Sequence, residues 1–163
     1  MNFYAIIKVC IFKGNLGNSG NFMKKTIIHE RLEHLKTLNF WVELMSDPDT
    51  KQFIIRLNQN RLELYGTDID GNVIGYYSPV TEILSGGEKQ AGKPYNLKDT
   101  GYFYDSFKIH VFSDYIVIDA DGLKDNVDWS DPSEKVLGLA EYQFEILNLY
   151  LIPQLIKLVR REI

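Results

Sequence analysis

Phe107-Lys108-Ile109-His110-Val111-Phe112-Ser113-Asp114-Tyr115-Ile116-Val117-Ile118-Asp119-Ala120 is the stretch whose reading decides the fold. Phe107, Ile109 and Val111 alternate with Lys108, His110 and Phe112. Tyr115, Val117 and Asp119 alternate with Ile116, Ile118 and Ala120. Side chains of an extended chain point to opposite faces in turn, so this period of two marks two strands. Ser113-Asp114 separates them, the length of a tight hairpin connection, although Asn-Gly is the stronger turn signal. A small antiparallel sheet centred on residues 107–119 is therefore expected.

On either side of the hairpin the period lengthens. Ile28, Leu32, Leu35, Leu38, Val42 and Met45 fall at steps of 4, 3, 3, 4 and 3, which keeps them on one face of a helix. Ser46-Asp47-Pro48-Asp49 interrupts the run. Asp47 suits an N-cap, Pro48 the first helical position, and Asp49 the positive end of a new helix. That second helix is expected to reach Tyr65, with Phe53, Ile54, Leu57, Arg61 and Leu64 along a face and Gly66 as its stop. The two helices form either a hairpin or one broken rod. After the sheet, Phe144, Leu147, Leu151, Leu155 and Leu158 trace the face of a last helix from about Ala140 to Arg161, with a kink or break at Pro153. Helices before and after a small antiparallel sheet give an α+β class.

Between the second helix and the hairpin, residues 67–75 read as a polar loop. Ser78-Pro79 reads as the cap and first turn of a short helix. Residues 85–94 are rich in Gly and Lys and are expected to be exposed and mobile. Asp99 is expected to cap a second short helix running from Thr100 to about Ser106.

Of 163 residues, 45% are hydrophobic and 25% charged, the balance of an ordinary globular domain. The net charge of −4 argues against a dedicated nucleic-acid binder. Yet residues 1–25 carry four lysines and no acid, whereas 114–134 hold seven acids against Lys124 alone. Cys10 is the only cysteine, which excludes an intramolecular disulfide framework and a cysteine–zinc cluster. The apolar start at 3–12 lacks a preceding basic residue, and Lys8 interrupts it, so it fits a signal peptide poorly. Residues 1–22 read as a strand docked on the sheet, or as an extension whose linker is 14–20. Residues 23–163 form one α+β domain.

Several motifs are nearly complete. Asp99-Thr100-Gly101 is the triplet of aspartic proteases, whose carboxylate shares a proton with a second one. Here Asn96-Leu97-Lys98 precedes the triplet in place of an apolar strand, and no second triplet exists. Asp68-Ile69-Asp70-Gly71 and Asp119-Ala120-Asp121-Gly122 look like calcium loops. Aligning either glycine at position 6 puts Gly66 or Val117 at position 1, where an acid is required. Both read better as Asx–Gly turns. His29 and His34 lie five apart, so they do not stack on a helix as a ligand pair would.

Two longer motifs flank the Gly/Lys-rich spacer. Asp70-Gly71-Asn72-Val73-Ile74-Gly75-Tyr76-Tyr77-Ser78-Pro79-Val80-Thr81 precedes it. Leu97-Lys98-Asp99-Thr100-Gly101-Tyr102-Phe103-Tyr104-Asp105-Ser106-Phe107 follows it and leads into the hairpin. This order resembles the virion-morphogenesis, or tail-completion, proteins of tailed bacteriophages over roughly residues 68–119. The resemblance implies a non-enzymatic head–tail connector, neck or tail-terminator component that assembles into a ring. Its expected place is the virion neck or tail, after a period in the host cytoplasm. Its partners would be other phage neck or tail proteins and copies of itself, with passive contact with passing DNA. No membrane, small-molecule substrate, cofactor or metal is implied.

On that resemblance Asp70, Gly71, Tyr77, Ser78, Pro79, Thr81, Leu97, Asp99, Thr100, Gly101 and Ser106 are architectural. Candidate contact surfaces are the hairpin edge, the loop at 85–94 and the cluster Tyr102, Phe103 and Tyr104. Asp125 and Asp128, in the acidic stretch, would line a passage for DNA. Two other readings compete: a small intracellular module of phage origin that binds a protein partner, and a hydrolase using Asp99.

Overall fold

The computed structural model describes residues 3–7, 40–121 and 133–162. Its elements are, in chain order, β1 (Phe3–Ile7), α1 (Phe40–Ser46), α2 (Pro48–Tyr65), α3 (Pro79–Leu84), α4 (Tyr102–Asp105), β2 (Lys108–Val111), β3 (Ile116–Ala120), α5 (Ser133–Val136) and α6 (Glu141–Glu162). The class is α+β, as the periodicities require.

The hairpin forms in the expected register. Ile109 lies opposite Ile118 and Val111 opposite Ile116. The Phe112 N–H donates to the Tyr115 carbonyl at 2.9 Å and closes the turn around Ser113-Asp114. Phe112 and Tyr115 stack across it at 4.6 Å. A central strand needs partners for both rows of its backbone groups. β2 satisfies one row of β3 and β1 the other, from Phe3 opposite Ala120 to Ile7 opposite Ile116. Within residues 3–12, Phe3–Ile7 is thus the docked strand.

Ile109, Ile116, Ile118 and Ala120 form the buried face of the sheet, while Lys108 and His110 on the other face are exposed. Leu44 and Met45 of α1, Ile54 and Leu62 of α2, Leu147 and Leu151 of α6, and Val136, Leu137 and Leu139 complete the core. Each such side chain contributes about 1.5–3 kcal/mol relative to remaining in water.

α2 begins as its sequence requires. Asp47 accepts a hydrogen bond from the Thr50 N–H at 2.9 Å, and Pro48 occupies the first turn. Gly66 ends the helix in the left-handed conformation, φ 59°. The expected face is the buried one at Ile54 and Arg61, with Phe53 and Leu57 packed against the core, and it departs at Leu64. Leu64 is 69% exposed, and the buried residues are Thr50, Ile54, Asn58, Arg61 and Leu62. Polar Asn58 joins this face because α2 packs against a length of backbone as well as against side chains. Asn58 donates to the Gly138 carbonyl, and Gln143 donates to the Leu57 carbonyl at 2.5 Å.

α2 and α6 run antiparallel, for Thr50 bonds Gln154 at 3.3 Å while Leu57 bonds Gln143. Phe53 stacks on Tyr150 between these points at 4.1 Å. α6 continues unbroken through Pro153. Pro153 removes the hydrogen bond to the Leu149 carbonyl, but it does so on the exposed side of the helix, so no buried group is orphaned. Of the first amphipathic run, α1 is described and packs against α2 and α6. Residues 26–39 lie outside the described residues. Among the described residues no helix is long and apolar enough to cross a membrane.

Candidate functional site

The two long motifs fold together as one shelf between α2 and the hairpin. Its base is a close approach of backbones. A Cβ on Gly66 would lie 2.5 Å from the Tyr95 carbonyl oxygen and 2.6 Å from the Pro94 Cβ. The Tyr95 ring covers Gly75 so closely that a Cβ there would enter the ring. The first motif then pairs with the end of the spacer. The Tyr95 N–H donates to Gly75 at 2.8 Å, and Tyr77 exchanges backbone bonds with Lys93 and Gly92, each at 2.9 Å.

Tyr77 and Tyr104, one from each motif, meet at Asn96. The Tyr77 hydroxyl donates to Asn96 Oδ1 at 2.7 Å, and the Tyr104 hydroxyl donates to the Asn96 carbonyl at 2.6 Å. Gln59 of α2 donates to the Tyr104 carbonyl at 2.8 Å, which fixes the shelf to the core. Burial raises the Tyr104 phenol above its ordinary pKa, so it stays a donor at neutral pH.

Other motif residues take local architectural roles. Asp68 builds an Asx turn: its carboxylate accepts from the Asp70 N–H at 3.0 Å and the Asn72 N–H at 2.8 Å. Partial burial opposes ionisation of Asp68, but the bonds from Asn72 and Asp70 prevail and hold its pKa below the ordinary value. Gly71 supplies the positive φ, 87°. Asp70 pairs with Lys135 at 2.5 Å, which raises the lysine pKa. Ser78 caps α3, accepting from the Thr81 N–H at 3.1 Å, with Pro79 in the first turn. Ser106 donates to the Phe103 carbonyl at 2.7 Å and accepts from the Asp121 N–H at 2.9 Å, tying α4 to the end of β3.

Four expectations change. Asp99 does not cap α4. That helix starts later, at Tyr102, and Gly101 holds the cap position with φ 89°, a conformation no capping side chain needs to share. Asp99 instead pairs with Lys89 at 3.0 Å, so a cation stands beside the carboxylate of the protease-like triplet. Thr100 accepts a weak bond from the Tyr102 N–H at 3.4 Å. Second, Tyr104 is buried and Phe103 packs against the core, so Tyr102 alone of that aromatic cluster is exposed. Its hydroxyl donates to Asp121 at 2.9 Å. Third, the Asx–Gly turn reading of 119–122 gives way at its start to the strand reading: Asp119 lies within β3, opposite Lys108 and Tyr4, as the alternation requires, while Gly122 lies outside the described residues. Fourth, the loop at 85–94 is exposed but tied down: Ser85 accepts from the Lys89 N–H at 3.0 Å, and Glu82 accepts from the Ala91 N–H at 3.2 Å. Asp125 and Asp128 lie outside the described residues.

Sequence reasoning missed two features. Leu97 adopts a left-handed backbone, φ 54°, which costs a non-glycine residue about 1–2 kcal/mol. Its side chain packs against the core and holds the turn in place. Arg61 is 1% exposed and reaches three carbonyls. It donates to Thr67, to Val136 at 2.5 Å and to Gly138 at 3.4 Å, joining the shelf to the α5–α6 connection. Burial pushes its pKa down to about 10, so it remains charged at neutral pH. An arginine at a periodic apolar position in α2 was the only signal of this role.

Outward, the shelf presents apolar side chains. α3 has no buried residue, and Val80, Ile83 and Leu84 are exposed, Leu84 at 82%. Tyr76 and Tyr102 are exposed as well. Beside them, Glu63, Tyr77, Lys89, Lys93 and Asn96 line an open polar groove. A rigid shelf with an apolar rim is suited to docking against another surface. No protein-family model, curated protein or solved structure matches the chain.

Proposed function

We propose that the chain is a non-enzymatic structural component of a tailed-phage virion, a head–tail connector, neck or tail-completion protein that works in a ring. One observation carries this reading. Both phage-like motifs fold into a single shelf, with Tyr77 and Tyr104 meeting at Asn96, and their polar residues are engaged in capping, turns and ion pairs. Residues used this way hold a shape. What the shelf offers outward is the apolar rim of α3 with Tyr76 and Tyr102. Ring formation needs a heterologous contact that closes by rotation, and a rigid protruding rim suits one side of such a contact.

The test is a particle lacking this protein. Heads and tails that fail to join, or tails of uncontrolled length, are the expected result, with the protein found in purified virions by mass spectrometry. Complete, infectious, tailed particles without it would refute the proposal. Such particles, together with capture of one host or phage protein by the soluble chain, would favour the intracellular binding module instead.

A further inference from the structure

The outer face of α6 carries a second apolar stripe, opposite the one that meets the core. Tyr142, Ile146, Leu149, Ile152 and Ile156 are all exposed, Leu149 at 71%, whereas Gln143, Leu147 and Leu151 are buried. At 100° per residue the five outer positions fall within about 60° on either side of Leu149, facing directly away from Leu147 and Leu151. Their steps are 4, 3, 3 and 4, which read the same in both directions.

That symmetry selects an occupant. When a second copy of the helix is laid antiparallel, with the two-fold axis at Leu149, each position meets its mirror position. Leu149 meets its own mate, Ile146 lies level with Ile152, and Tyr142 lies level with Ile156. This is the rule of an isologous contact, in which residue i meets j and j meets i. Charge points the same way. Glu141 and Glu145 lie in the first half of the exposed helix, and Lys157 and Arg160 in the second. An antiparallel pair lays the acidic half of one copy along the basic half of the other. A parallel pair sets like charges side by side.

We infer that α6 pairs with α6 of a second copy of this chain, antiparallel and centred on Leu149. The stripe is about 21 Å long at 1.5 Å per residue. Five large side chains, each roughly half exposed, offer about 500 Å² per copy, taking about 200 Å² for a whole large side chain. A standard stable interface needs about 800 Å² per partner. The dimer is therefore concentration-dependent. The inference does not rest on the ring reading, because the contact lies on α6 and not on the shelf.

Cysteine scanning of the full chain, with Cys10→Ser as background, tests the geometry. Under oxidation Leu149→Cys is expected to form a disulfide-linked dimer. Ile146→Cys and Ile152→Cys are each expected to form no disulfide cross-link alone and to cross-link when mixed. Cross-linking of all three variants alone would overturn the inference in favour of a parallel pair. Sedimentation of the unaltered chain gives an independent readout. The mass is expected to double from 18.9 kDa with rising concentration, and Leu149→Glu to abolish the doubling while matching the parent's melting temperature at a concentration where the parent is monomeric. A monomer at every concentration, or a dimer indifferent to Leu149→Glu, would also overturn it.

Discussion

Arg61→Ala is the most informative single perturbation of this fold. The side chain is 1% exposed, and its two terminal nitrogens serve the carbonyls of Thr67, Val136 and Gly138. These carbonyls belong to two segments, the start of the shelf loop and the connection between α5 and α6, which are also joined by the Ile69 N–H donating to the Lys135 carbonyl at 3.0 Å and by the Asp70–Lys135 pair. Truncation removes two close charge-assisted bonds, to Thr67 and Val136, each worth about 1.5–3 kcal/mol, and a longer, weaker one to Gly138, and leaves acceptors without partners. Gly138 keeps the donation from Asn58, so the losses do not simply add. The expected destabilisation is about 3–5 kcal/mol, a large share of the roughly 5–15 kcal/mol that holds a domain of ordinary stability. In a chain of this size it lowers the melting temperature by about 6–20 °C, at about 2–4 °C per kcal/mol. Arg61→Lys should recover only part of this, because one ammonium cannot span the fork from Thr67 to Val136. Urea unfolding followed by far-UV circular dichroism gives the free energies and, through the slope, shows whether the native state has loosened. An Arg61→Ala chain within about 1 kcal/mol of the parent, at an unchanged slope, would refute the view that this arginine joins the two segments.

Two further predictions follow from the shelf. Gly66→Ala combines a left-handed backbone with a Cβ 2.5 Å from the Tyr95 carbonyl oxygen. The two effects should cost about 2–4 kcal/mol in chemical unfolding, and the parent stability would contradict the close approach. Asp68 titrates below the ordinary carboxylate value of 3.8 in the folded state. Its contribution is therefore present above that value and lost as pH falls through the lowered one. Asp68→Asn should flatten the acid side of the stability profile below about pH 4, and an unchanged acid limb would sink the assignment.

Where local chemistry dominates, the sequence alone was enough. Period-two alternation and a two-residue gap specified the hairpin, because a strand with one buried face permits only one register. Asp47-Pro48, Gly66 and Ser78-Pro79 placed the ends of α2 and the start of α3, because capping is a contact between near neighbours. Other features depend on groups far apart in the chain. Leu64 points to water and Asn58 inward because the backbone at Gly138 needs a donor, and nothing within α2 announces that need. Asp99 does not cap because α4 begins only at Tyr102, and its carboxylate pairs instead with Lys89, ten residues away. Tyr104 went inside because Asn96 and Gln59 satisfy its polar groups there, leaving Tyr102 as the exposed ring. The two motifs could be recognised in order along the chain, yet only the folded chain could show them meeting at Asn96. The spacing of the outer stripe on α6 was present in the sequence throughout. It acquired meaning only when the fold assigned the opposite face of that helix to the core, because an apolar face is unpartnered only relative to what already covers the other.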